Sequence, residues 1–192
     1  MTTVVIIIVA VLVVAAGLFF AFGRTRGGRG LRSRFGPEYE RAVARHDGDT
    51  HAAEQELGER VKRYGSLDER PLSAEARAEY AARWTELQEQ FVDSPQNAVA
   101  EADALLARMA RDRGFPDAEN FDEQMAALSV HRAEHVNGYR RVHTARRGQT
   151  GTEEMREALI EARGLFDALL SDGTKVPAHA GGHHPTKESG TS

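Results

Sequence analysis

The feature that most constrains this chain is an uncharged stretch of nineteen residues near its start, VVIIIVAVLVVAAGLFFAF from Val4 to Phe22. Built as a helix at about 1.5 Å per residue, it reaches roughly 28 Å, close to the ~30 Å hydrocarbon core of a bilayer. The β-branched run Val4–Val9 disfavours a helix in water. In lipid that preference is overridden, because a spanning backbone must satisfy its own hydrogen bonds. The pattern predicts a single transmembrane anchor over residues 1–22. A cleaved signal peptide is the rival, but it needs a basic n-region, a shorter apolar core and a small-residue cleavage site. Here Met1-Thr2-Thr3 precedes the run, and Ala21-Phe22-Gly23 leads straight into arginine.

Orientation follows from charge. Arg24, Arg26, Arg29, Arg32 and Arg34 lie just after the apolar run, with no acid among them. Basic residues flanking a span are retained in the cytoplasm. The N-terminus is therefore expected outside and the remainder of the chain on the cytosolic face of the cell membrane. The five arginines serve as a topology signal and lie where they can contact anionic headgroups. Glycines 23, 27, 28 and 30 make residues 23–34 read as a flexible tether.

Beyond this point the balance reverses. From Phe35 to Asp172 there are 28 acids and 18 bases, a net of −10. Nucleic-acid affinity depends on clustered Lys and Arg, so no nucleic-acid partner is expected for this region. The chain has no cysteine, which excludes disulfides, thiolate chemistry and cysteine-ligated metal. Of its 25 basic side chains only Lys62, Lys175 and Lys187 are lysine; with the abundant alanine, that points to a GC-rich bacterial genome.

Apolar residues after Phe35 recur at helical spacing, with no competing strand pattern. Pro37 opens a short helix carrying Tyr39, Ala42 and Val43, which Gly48 closes. A second helix carries Ala53, Leu57, Val61 and Tyr64. A third, capped by Ser73, carries Ala76, Tyr80, Trp84, Leu87 and Phe91. Ser94-Pro95 opens a fourth, with Val99, Ala102, Leu105, Leu106 and Met109. Asn120 and Glu123 form a capping box for a short helix with Phe121, Met125 and Leu128. A further, mostly polar helix is expected over about 131–147, and a last one bears Met155, Leu159, Ala162, Phe166 and Leu169. The fold class predicted is all-α: one transmembrane helix followed by a cytoplasmic bundle of about six to seven helices over 35–172. Residues 173–192, rich in Gly, Pro, Ser, Thr and His, read as a disordered tail.

Several stretches carry a resemblance: Phe35–Val43 (FGPEYERAV), Arg70-Pro71-Leu72-Ser73, Tyr80–Trp84 through Phe91–Pro95, and Ala98–Asp103 (AVAEAD). Together they resemble an uncharacterised actinobacterial single-pass membrane protein family, often labelled "membrane protein" or "secreted protein". The resemblance covers about residues 35–170. It implies an anchor followed by a helical body and brings no catalytic residue or cofactor.

The sharpest chemical motif is His131-Arg132-Ala133-Glu134-His135. On one helix, His131 and His135 at i and i+4 share a face and could hold zinc, with Glu134 as general base of a hydrolase. A third ligand is missing: His143 lies about 80° around the helix from His135, two turns away. In a polar stretch without a walled cleft these residues are expected to be surface histidines, so no metal, cofactor or catalytic residue is assigned. His179, His183 and His184 in the tail suit adventitious metal binding only. Tyr80, Trp84 and Phe91 are expected to fill the core, and Glu153, Glu154, Glu157 and Glu161 to form a solvated acidic face. No phosphate loop and no nucleophile elbow is present. The sequence thus predicts a membrane-tethered, non-catalytic interaction module with a protein partner. A zinc-dependent hydrolase and a secreted helical protein are the alternatives.

Overall fold

The computed structural model describes residues 29–148 and 150–171. Among these residues every regular element is helical. A helix covers 29–35 (α1) and is followed by α2 (Pro37–Arg45), α3 (Thr50–Tyr64), α4 (Ala74–Asp93) and α5 (Pro95–Asp112). A 3₁₀ turn at Ala118–Asn120 leads into α6 (Phe121–His131), α7 (Val136–Ala145) and α8 (Thr152–Leu170). The expected helical bundle is present, with seven helices after Phe35. No described helix is long and apolar enough to cross a membrane. The predicted anchor (1–22), residues 23–28 of the tether and the tail (173–192) lie outside the described residues.

Local chemistry accounts for most boundaries. Pro37 starts α2 and Pro95 starts α5, where the missing N–H costs nothing. Asp49 caps α3 by accepting from the N–H groups of His51 and Ala52, which holds its carboxyl below the usual range. Ser73 caps α4 through Ala76 N–H, and Asn120 caps α6 through Glu123 N–H. Ser94 behaves differently from its sequence signature: its hydroxyl makes no capping bond to α5.

The antiparallel pairs α4/α5 and α7/α8 form the centre. Trp84 of α4 stacks on Phe166 of α8, with ring centroids 4.5 Å apart. Around them Leu106, Met109, Leu128, Val142, Leu165 and Leu169 are sealed from solvent. Tyr80 and Trp84 are buried as expected, with Phe91 packed at the margin. α1 adds Phe35, and the α2/α3 hairpin adds Tyr39, Ala42, Ala53 and Leu57, to the same core.

Three expectations are corrected. Residues 29–34 are helical rather than flexible, because α1 buries Phe35 completely and packs Leu31 against the core. The mostly polar helix over 131–147 does not form as one element. α6 ends at His131, the chain turns through 132–135, and α7 begins at Val136. Nor is α7 a surface helix, since Val136, Gly138, Tyr139, Val142 and Ala145 are all buried. The acidic face of α8 is exposed at Glu153, Glu154 and Glu157 as expected, with Glu161 half-buried, and Glu157 and Glu161 pair with Arg141 of α7.

The contact between α7 and α8 depends on Gly138. A Cβ built there would meet the backbone of Glu161 and Ala162 at 2.4 Å. Gly138→Ala should cost about 3 kcal/mol and lower the melting temperature by roughly 10 °C in a thermal scan. Gly58 in α3 has nothing within 4 Å of the same position, so Gly58→Ala should raise stability by about 0.5–1 kcal/mol.

Candidate functional site

The histidines of the H-x-x-E-H motif are separated by the turn between α6 and α7. His131 closes α6, and its Nε2 donates to the Tyr64 carbonyl at 2.8 Å while the ring meets Phe115 edge-on. His135 stands at the N-terminal end of α7 against Gly164 of α8. With the helix broken between them, the i, i+4 geometry on which a zinc site depended is absent. No group of three or more potential metal ligands occurs among the described residues. Of the juxtamembrane arginines, Arg32 pairs with Glu40 at 2.6 Å and lies over the Tyr39 ring, and Arg34 donates to the Val130 carbonyl. Arg29 is exposed on α1; Arg24 and Arg26 lie outside the described residues.

Around His131 the C-terminal ends of α3, α5 and α6 converge. Helix C-termini carry unsatisfied carbonyls and partial negative charge, so basic side chains are favoured there. Arg113 and Arg132 each donate to Glu69 Oε2 at 2.7 Å, Arg132 also donates to the His131 carbonyl, and Arg70 donates to the Arg111 carbonyl. Gly114, with φ of +97°, lets the 65–73 segment lie against this cluster. A cavity of about 460 Å³ opens beside it. Its guanidinium groups are already engaged by carbonyls and by Glu69, so it is a structural tie and not a receptor for an anion.

Three further buried polar clusters join separate elements. Glu38, 1 % exposed, accepts a bidentate pair from Arg140 at 2.8 and 2.9 Å and faces Arg41 at 3.3 Å, fixing α2 to α7. Asp103 of α5 accepts from His143 Nδ1 and from Arg146 Nε, each at 3.0 Å. Burial pushes its carboxyl up, and His143 and the arginines pull it back. The His143 ring stacks on Phe121. Gln124 is fully enclosed, donating to the Ala107 and Pro116 carbonyls and accepting from Tyr139 Oη. An Asp–His pair can orient a general base, but no hydroxyl nucleophile faces His143 within hydrogen-bond reach among the described residues. None of these partners was visible in the sequence, because nothing in the spacing of Glu38 and Arg140 or of Asp103 and His143 links them.

An open groove of about 1020 Å³ lies between α3 and α6, bordered by Glu56, Arg60, Tyr64, Asp122 and Glu123. Its walls carry both charges: Arg60 pairs with Glu56, and Tyr64 Oη donates to the Glu123 carboxylate. That composition suits a solvated protein contact better than an enclosed small-molecule site. Comparison with protein families, with characterised proteins and with solved structures returned no match.

Two outcomes test the polar framework. Glu38→Gln, which leaves Arg140 facing a neutral amide, should cost about 3 kcal/mol in urea unfolding. Burial and the Asp112 carboxylate push Tyr80 up to about 12, and burial pushes Tyr139 higher still. A raised folded value means that this stabilisation is complete below about pH 10 and is lost as pH rises through about 12. Spectrophotometric titration should therefore show fewer than the full set of tyrosines ionising before the fold opens.

Proposed function

We propose that this chain is a membrane-tethered helical interaction module whose body stands on the cytosolic face and recruits a protein partner without catalysis of its own. The observation that carries this reading is the sequence order at the start: an uncharged run long enough to span, then five arginines without an acid, the last three of them on a helix already present at residue 29. Between Phe22 and Arg29 lie residues 23–28 only. Six residues reach at most about 20 Å, so the body is held near the bilayer surface. Tethering of this kind raises the local concentration of a binding surface, and modest contacts then suffice for recruitment. The open, charge-lined α3/α6 groove is the contact surface that best fits such a role. The resemblance to single-pass actinobacterial membrane proteins agrees with this arrangement.

The test is topological. A C-terminal fusion to a phosphatase active only outside the cell should be silent, a cytosolic reporter at the same place should be active, and external protease should leave the bundle of intact cells undigested. An active phosphatase, or digestion from outside, would overturn the placement and return the secreted alternative. Cross-linking in membranes through the α3/α6 groove, followed by isolation of the full chain, should capture a protein partner.

A further inference from the structure

The chain enters and leaves the α2/α3 hairpin at one place. Arg34 donates to the Val130 carbonyl and His131 to the Tyr64 carbonyl, so both sides of the hairpin are held at the end of α6. Just beyond, Glu69 is fixed by Arg113 and Arg132, and the Arg70 N–H donates to the Arg113 carbonyl. Residues 65–68, which belong to no helix, form the link between these two anchorages. From Tyr64 to Thr50, α3 extends roughly 21 Å away from that point. At the tip, Arg45 and His46 bond Glu56 within the hairpin itself.

The hairpin is attached differently from the other helices. α4, α5, α7 and α8 pack broadly on one another, whereas α2 packs broadly on α3, and α3 on α2 and α6. The open groove runs between α3 and α6 from Ala52 to Tyr64 and interrupts that contact. Polar ties bridge what remains: Glu38 to Arg140, Arg41 to Asn137, Arg60 to Ser129, and Tyr64 Oη to Glu123. Bonds of this kind add little net stability, because water takes the partner's place once the surfaces part. The centre has firmer holds, in the backbone approach at Gly138 and the stack of Trp84 on Phe166.

We infer that residues 29–64 are a hinged arm: α1, α2 and α3 swing together about the end of α6, with 65–68 flexing, while α4 to α8 stay assembled. Opening widens the α3/α6 groove and bares Ala42, Ala53 and Leu57, all sealed in the closed fold, as a transient apolar binding surface. The arm opens at a lower free energy than the whole body, as cooperative sub-units of a fold do when few apolar contacts secure them. The device depends neither on the tether nor on the side of a membrane that the body occupies.

Because the chain has no cysteine, one introduced thiol reports alone. Ala53→Cys places it on the inner face of the arm and Ala102→Cys in the centre, both positions being fully buried. In the full chain, kept in mild detergent without denaturant, a thiol reagent should label position 53 at least about tenfold faster than position 102. Tyr64→Phe removes one tie and keeps the ring; it should speed labelling at 53 by about fivefold and leave 102 unchanged. Hydrogen exchange of the unsubstituted chain should follow the same order, with the amides of α3 exchanging before those of α5 and α8. Equal labelling at the two positions, or equal acceleration of both by Tyr64→Phe, would overturn the hinge, since the body would then open only as a whole.

Discussion

Everything in this fold is arranged around the close approach of α7 to α8. The backbone of Gly138 lies against that of Glu161 and Ala162, closer than any side chain would permit. Two consequences follow from that one contact. The small residues Ala158 and Ala162 become core, and the large ones nearby, Tyr139, Leu165 and Phe166, are directed sideways into the gaps beside α5 and α4. Trp84 can then stack on Phe166, which closes the four-helix centre. Were the helices a methyl group further apart, these aromatic contacts would lose much of their dispersion energy.

The peripheral hairpin α2/α3 is joined to that centre by a mixture of apolar burial and charge. Phe35, Ala42, Ala53 and Leu57 provide the non-directional part. Glu38 with Arg140, and Arg60 with Ser129, provide the directional part. A buried carboxylate must recover what it loses on leaving water, and the bidentate guanidinium does so only in one relative placement of the two helices. The pair therefore contributes position more than net stability.

Much of the helical layout was legible because helix periodicity and end signals are local. Pro37, Asp49-Thr50, Ser73, Pro95 and Asn120 each mark a boundary through chemistry that acts within four residues. The break at 132–135 was not legible for the same reason. Between Val130 and Val136 there is no glycine or proline, and the turn is held instead by distant partners, Tyr64 for His131 and Glu69 for Arg132. A motif that looked like one helix face was consequently split. The start of the body was misplaced in a related way: Gly30 argued for flexibility, but the burial of Phe35 and Leu31 outweighs a cost of about 1 kcal/mol for a helical glycine. Candidate sites were the least legible part, because Glu38–Arg140 and Asp103–His143 are pairings across the fold with no signature along the chain.

Gly36 lies between α1 and α2 with φ of +47°, a conformation that residues with a side chain rarely adopt. Phe35 just before it and Glu38 two residues after it are enclosed. The joint therefore acts as a stiff elbow: a sharp change of direction whose two arms are clamped. A twist or a push delivered at residue 29 has no slack to take it up and is handed to α2, and through Arg140 to α7. Mechanically, the body and the chain entering it form a crank and its handle.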